Sequence, residues 1–140
     1  MEILVDSNVL IDIVTEDETW FRWSAETLAA YADTHILLVN TVIYAELSVG
    51  FNAIEEVEDL LSPSYFRKVP VPWEAAFLAG KCFLEYRKRG GRKRSPLPDF
   101  FIGAHASILG IPLMTRDVSR YRTNYPKLEL VAPKSVRRRV

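Results

Sequence analysis

The chain has 140 residues and a mass of 16.0 kDa, 49 % hydrophobic and 26 % charged, which is the size and composition of one ordinary globular domain with a real core. Its formal net charge is zero, yet the charge is divided: up to Phe66 a single basic residue, Arg22, stands against thirteen acidic ones, and from Arg67 onward seventeen basic residues stand against five acidic ones. The single cysteine, Cys82, excludes a disulfide framework or a thiolate zinc site within the chain, and no apolar run approaches the ~18 residues of a membrane span.

The first apolar run, Ile3-Leu4-Val5, is short and continuous, as in a strand buried on both faces. Ser7 is expected to cap a short helix that runs to about Val14. Glu16-Asp17-Glu18 places acid in the first turn of a second helix ending near Asp33, with Trp20, Trp23 and Leu28 on or near its apolar face. Ile36 to Val39 reads as the second strand. Thr41 caps the helix Val42 to Val49, which Gly50 ends, and a further helix covers about Ala53 to Leu61 until Ser62-Pro63-Ser64 breaks it. Phe66 to Val71 alternates weakly and reads as the third strand. A long helix follows from about Trp73 to Arg89, stopped by Gly90-Gly91, and residues 92–98 form a basic loop containing prolines. Asp99 opens a strongly apolar helix that Gly110 ends. Pro112 to Thr115 is a buried strand, a short helix follows around Val118 to Arg122, and Leu128 to Val131 is the last strand. Strands alternating with helices, without hairpin loops, predict the α/β class with a five-stranded parallel sheet covered on both faces. One domain over residues 1–133 is expected, followed by a basic tail over 134–140. With no basic leader, and with Asp6 and Asp12 interrupting the first apolar run, a cytoplasmic protein is expected.

Four carboxylates fall where such a sheet gathers them. Asp6 follows the first strand, Glu46 lies one helical turn past the second, Asp99 opens its apolar helix, and Asp117 follows the fourth strand. In open α/β sheets the strand ends and the helix starts beyond them share one rim, where ligands bind. Acids on one rim repel each other unless something positive sits among them, and a hard divalent cation with oxygen ligands, Mg²⁺ or Mn²⁺, is the natural candidate. Each acid has a competing explanation as a helix cap, or for Glu46 as a side chain reaching out from the edge of the core. Two other phosphate-handling patterns are excluded. A haloacid-dehalogenase-type phosphatase needs a second Asp where Asn8 stands, and a receiver domain needs an Asp after the third strand, where there is none.

The segments Leu4 to Asp12, Tyr44-Ala45-Glu46-Leu47, Leu97 to Ala106 and Leu113-Met114-Thr115-Arg116-Asp117 resemble the PIN-domain ribonucleases, and more narrowly the VapC toxin subunits of VapBC toxin–antitoxin pairs. The resemblance runs from Asp6 to about Pro133, with all four acidic motifs in order. It implies a PIN-like α/β/α sandwich, Mg²⁺- or Mn²⁺-dependent endonucleolytic cleavage of RNA, homodimers, and inhibition by a cognate antitoxin. Carried onto this chain, it makes Asp6, Glu46, Asp99 and Asp117 the catalytic metal ligands, with Asn8 and Thr115 as polar support. Ser7 departs from the family's usual threonine, a change between two capping residues.

The chemistry also follows from the residues. Cations held by four acids polarise a phosphodiester and lower the pKa of an attacking water, so no side chain need be the nucleophile. A triad has no basis: the two histidines, His35 and His105, lie in no motif with a serine and an acid, and His105 reads as a packing or partner residue. Arg92, Lys93 and Arg94 lead directly to Asp99 and form a candidate arm for RNA phosphates, as does Arg116 beside Asp117. Arg137-Arg138-Arg139 reads as tail. Trp20, Trp23, Tyr31 and Phe51 fit helical stripes better than base-stacking platforms. Two alternatives share the same rim: a PIN-type RNA-processing nuclease without an antitoxin, and a non-catalytic module that holds RNA or a protein partner. Small size without an accessory domain favours the toxin. The complete set of four acids argues against a module that holds no metal.

Overall fold

Ile3, Leu4 and Val5 have no polar side chain to offer solvent, and they form β1 (Glu2–Val5), the central strand of the molecule. The structure is a computed structural model that describes residues 1–90 and 97–134. After β1 come α1 (Ser7–Val14), α2 (Phe21–Ala32), β2 (Ile36–Val39), α3 (Thr41–Ser48), α4 (Ile54–Leu60), β3 (Phe66–Lys68), α5 (Trp73–Lys88), α6 (Leu97–Leu109), β4 (Leu113–Met114), α7 (Val118–Arg122) and β5 (Leu130–Val131). The strands make one parallel sheet in the order β3-β2-β1-β4-β5, so the five-stranded parallel α/β fold expected from the sequence is what forms. Leu4 is the pivot of the register, opposite Leu38 on one side and Leu113 on the other.

Consecutive residues of a strand point to opposite faces. Ile3, Leu4, Val5, Leu37, Leu38, Val39, Leu113 and Met114 are all essentially inaccessible to solvent, so both faces of the central strands are covered by helices. α6 is the most deeply buried helix, with Asp99, Phe100 and every residue from Ile102 to Ala106 inside. Its Phe100 meets the ring of Phe83 edge-on, with centroids 5.4 Å apart, and that of Tyr86 at 5.5 Å, which locks α6 to α5. Among the described residues no helix is long and apolar enough to cross a membrane.

Several element ends differ from expectation, each for a local reason. α2 starts at Phe21 rather than near Glu16, because the Asp17 carboxylate accepts from the backbone N–H of Thr19 and Trp20 at 3.1 and 2.8 Å and ties residues 17–20 into a turn. Glu16 before it takes a positive φ of 51° at the corner. β3 stops at Lys68. Val69 N–H still reaches Val39 O at 2.9 Å, but Pro70 and Pro72 have no N–H to continue the ladder. β5 starts at Leu130, because Leu128 N–H turns back to Tyr125 O. Two caps also move. Asp6, not Ser7, stands at the N-cap of α1, and Asn40, not Thr41, caps α3 by accepting from Ile43 N–H at 2.9 Å.

Candidate metal centre

β1 and β4 are neighbours whose onward connections leave in opposite directions, which opens a crevice beyond their C-terminal ends. Asp6 leaves β1 into that crevice, its backbone N–H bonded to Met114 O at 2.9 Å. The carboxylate is 2 % exposed, and its Oδ2 accepts three hydrogen bonds: from Tyr121 OH at 2.8 Å, Thr115 Oγ1 at 2.9 Å and Asn8 Nδ2 at 3.3 Å. Asn8 Nδ2 also reaches Thr115 Oγ1 at 3.2 Å, so the two polar residues picked out by sequence brace the same oxygen. The Ser7 hydroxyl lies 3.5 Å from Asp6 Oδ1 but 2.6 Å from Glu46 Oε1. It has one proton to give, and the shorter distance assigns it to Glu46. Ser7 therefore bridges two acids instead of capping a helix. Asp6 Oδ1 keeps only this longer contact, while the Ser7 backbone adds the weakest of the hydrogen bonds that the carboxylate receives.

The other side of the rim belongs to α6 and α7. Asp99, in the first turn of α6, is 4 % exposed; its Oδ1 accepts from Arg120 Nη1 at 3.2 Å, and its buried Oδ2 has no hydrogen-bond partner. Asp117 precedes α7, with Oδ2 against Arg120 Nε at 2.7 Å and Oδ1 accepting from Ser119 Oγ at 3.1 Å. The competing explanation by helix capping fails for Asp6 and Asp117, since neither side chain makes a capping hydrogen bond.

Burial disfavours charge here. It pushes the Asp6 carboxyl up, with the Tyr121 and Thr115 hydrogen bonds opposing and nearby Glu46 adding to the rise. Asp99 is pushed up to about 6, first by burial, against the pull of Arg120 and with the charges of Asp6, Glu46 and Asp117 adding to it. Asp99 thus lies within electrostatic reach of the other three acids, and Asp6 within reach of Glu46. Burial also raises the Tyr121 phenol well above its ordinary range, so it remains a donor to Asp6 at neutral pH. The donor set is hard carboxylate oxygen with hydroxyl support, and one of those oxygens is an orphan. That chemistry fits Mg²⁺ or Mn²⁺. As they stand, no three His, Cys, Asp or Glu side chains among the described residues converge on a single point, because Arg120 stands between Asp99 and Asp117 and Ser7 between Asp6 and Glu46.

Residues 3–124 match the family described as the PIN domain. The chain belongs to the PIN domain family. Its PIN fold is shared with solved toxin–antitoxin complexes. Against a chain of VapBC2 from Rickettsia felis, solved with a promoter DNA fragment, the TM-score is 0.71 at 17 % identity, covering 94 % of this chain and 98 % of that one. Against VapBC-1 from nontypeable Haemophilus influenzae the TM-score is 0.71 at 19 % identity, with the same coverage. A toxin–antitoxin complex from Klebsiella pneumoniae gives 0.70 at 21 % identity, over 96 % of this chain and 100 % of the matched chain. No curated protein sequence matches it.

The remaining candidates fall in three places. In this PIN domain Arg116 turns away from the four acids: its Nε pairs with buried Asp12 at 2.7 Å, Asp12 also accepts from Ser24 Oγ at 2.9 Å, and the guanidinium lies 5.7 Å from the centre of the Trp20 ring. Arg92, Lys93 and Arg94, like the tail residues Arg137, Arg138 and Arg139, lie outside the described residues. His105 is buried in α6 with Nδ1 3.0 Å from Asn40 Nδ2, and burial lowers its pKa, which makes it a neutral packing residue. Sequence reading missed Ser7 as a bridge, and it missed Arg120 and Tyr121 altogether. A signal for the last two existed: three and four positions after Asp117, they share one face of a helix with it.

Proposed function

We propose that this PIN domain is a Mg²⁺- or Mn²⁺-dependent endoribonuclease and the toxin of a type II toxin–antitoxin module. The observation that carries the reading is the buried Asp99 carboxylate, which has an oxygen without a partner on a rim shared with Asp6, Glu46 and Asp117. A buried carboxylate oxygen without a partner is costly, and a cation among the four acids offsets that cost. Bound there, a divalent ion supplies a lowered pKa for an attacking water and stabilisation of charge on the leaving oxygen. Asp6, Glu46, Asp99 and Asp117 would hold it. Tyr121, Thr115 and Asn8 fix Asp6 through one oxygen and leave the other more open to a ligand, and Ser7 sets the rotamer of Glu46.

RNA as the substrate is supported by the basic second half. Among the described residues two ion pairs join the halves, Arg116–Asp12 and Lys68–Glu58. Arg120 is further held by Asp99 and Asp117 within the second half, and the basic surplus left over suits a polyanion, with Arg92, Lys93 and Arg94 placed by sequence five to seven positions before Asp99. Arg116 contributes less than its place in sequence suggests, since its Nε is committed to Asp12. An antitoxin partner is supported by the complexes that share the fold, each solved as a toxin–antitoxin assembly or a VapBC pair. A homodimer is supported by α5, where Trp73, Phe77 and Leu84 lie along one stripe and are 89, 69 and 45 % exposed.

The test is cleavage of a pool of cellular RNAs by the purified full chain, with Mg²⁺ or Mn²⁺ and then with EDTA, beside induction in cells with and without the adjoining reading frame. The expected result is metal-dependent cleavage and growth arrest that the neighbour relieves. Cleavage that persists in EDTA, or none with either metal, would overturn the nuclease reading. Cleavage without arrest would overturn the toxin role alone.

A further inference from the structure

Arg120 uses different nitrogens of one planar fork for two acids: Nη1 for Asp99 Oδ1 at 3.2 Å and Nε for Asp117 Oδ2 at 2.7 Å. We propose that Arg120 is a resident counter-ion that competes with the divalent cation for Asp99 and Asp117, and that it must turn out of the site for metal to bind tightly. This inference rests on the reading of the four acids as a metal centre and adds a control on its occupancy. A cation ligated by Asp99 and Asp117 draws on the same two carboxylates and the same local negative charge that the guanidinium now holds. The two positive charges also repel each other, so each weakens the other's binding.

Burial decides which partner moves. Asp99 is fixed in the first turn of α6, among the most buried residues of the domain, and its side chain is 4 % exposed. The Arg120 side chain is 42 % exposed and sits on the short α7 at the open side of the rim. Its long stem can carry the guanidinium into solvent without opening the core. The arrangement also explains how the chain tolerates clustered acids before metal arrives: the guanidinium offsets their repulsion and holds α7 against α6. It makes the metal site self-guarding, with occupancy set by an exchange between two cations.

The rival explanation is that Arg120 only staples α7 to α6. Both explanations predict that removing it lowers the melting temperature in chelator, so stability alone does not separate them. Metal affinity does. The experiment is calorimetric titration of Mn²⁺ into chelator-stripped full-length protein at pH 8, for the parent, Arg120→Gln and Arg120→Lys. Arg120→Gln should bind Mn²⁺ about tenfold more tightly than the parent, the size of an ordinary coupling between two sites. Arg120→Lys should fall between them, because an ammonium cannot fork across two carboxylates, and it serves alone if the Gln variant does not fold. Mn²⁺ should also raise the melting temperature of Arg120→Gln more than that of the parent. Equal or weaker Mn²⁺ binding by the variants, with binding by the parent intact, overturns the competition and leaves Arg120 a staple. If the parent and both variants bind no Mn²⁺, the metal centre itself is wrong and the competition falls with it.

Discussion

At the scale of single residues, Asp99 is one of two acids, with Asp6, through which burial ties stability to pH. Its carboxyl titrates at about 6 in the folded chain, raised from an ordinary 3.8 chiefly by burial, while Arg120 pulls the other way. Below about pH 4 the group is protonated folded or unfolded and has no effect. Between about 4 and 6 the folded chain holds a proton that the unfolded chain has released, so stability falls as pH rises. Above about 6 the loss is complete, on the order of 1–3 kcal/mol from the difference in proton affinity between the folded and unfolded chain. Asp99→Asn keeps the shape without the charge. In EDTA at pH 8 it should stabilise the protein by about 1–2 kcal/mol, and at pH 4 it should change little. Asp6, also raised by burial, keeps some pH dependence in the variant. Urea denaturation of parent and variant across pH 4–8 checks this. A variant that is less stable than the parent at pH 8 would mean that Asp99 is held by contacts worth more than its burial costs. The same substitution should abolish cleavage and shrink the stabilisation that Mg²⁺ gives by binding the folded state.

At the scale of elements, the fit of α6 against the segment after α7 sets where Asp99 and Arg120 meet. A Cβ at Gly103 would lie 2.4 Å from the Tyr125 ring and 3.2 Å from that of Tyr121. Tyr125 cannot give way freely, because it is buried and its OH donates to Phe100 O at 2.7 Å. Gly103→Ala should therefore cost about 1–3 kcal/mol by overpacking, and by moving Tyr121 it should loosen the hydrogen bond to Asp6 and lower metal affinity. A thermal shift with a Mn²⁺ titration reads both. Gly103→Ala with parent stability would show that the two rings are free to move. This glycine lies in a segment whose resemblance to PIN domains was plain, yet its reason is a tertiary contact 22 positions away that no local pattern encodes. The buried strands were legible for the opposite reason: runs such as Ile3-Leu4-Val5 have nowhere to go but the middle of a sheet. Element ends were less legible, since Asp17 and the prolines at 70 and 72 act through single hydrogen bonds made or missing. The basic residues that precede Asp99 in sequence give a further expectation. Replacing Arg92, Lys93 and Arg94 with Ala should weaken RNA binding and reduce the log–log salt slope by about 0.7 for each phosphate no longer neutralised, as for a single strand. A triple variant with the parent's slope would remove these three residues from the proposed RNA contact.

At the scale of the whole molecule, the chain order brings two acids from the acidic half, Asp6 and Glu46, against two from the basic half, Asp99 and Asp117. The sequence led to the expectation that these four would share a rim, because Asp6 and Asp117 follow strands, Asp99 opens a helix and Glu46 lies one helical turn past a strand, all at the same end of a parallel sheet. It did not show that a guanidinium would stand among them, since Arg120 was one of seventeen basic residues in its half and pairs with Asp99 only once α6 and α7 meet. The face opposite in character is the apolar stripe on α5. Trp73 and Phe77, one helical turn apart, expose most of their rings, and Lys81 places its Nζ 5.3 Å from the centre of the Phe77 ring. Burying two aromatic side chains between subunits is worth roughly 1.5–3 kcal/mol for each one covered, enough to shift a dimer that forms in the micromolar range. On the proposed homodimer, Trp73→Asp with Phe77→Asp should convert it into a monomer in sedimentation velocity, with the fold kept because neither side chain enters the core; a parent that already sediments as a monomer would remove the homodimer. Metal binding should survive, since all four acids lie on the rim and not on α5. A double variant that remains dimeric like a dimeric parent would place the dimer contact elsewhere and leave α5 for another partner.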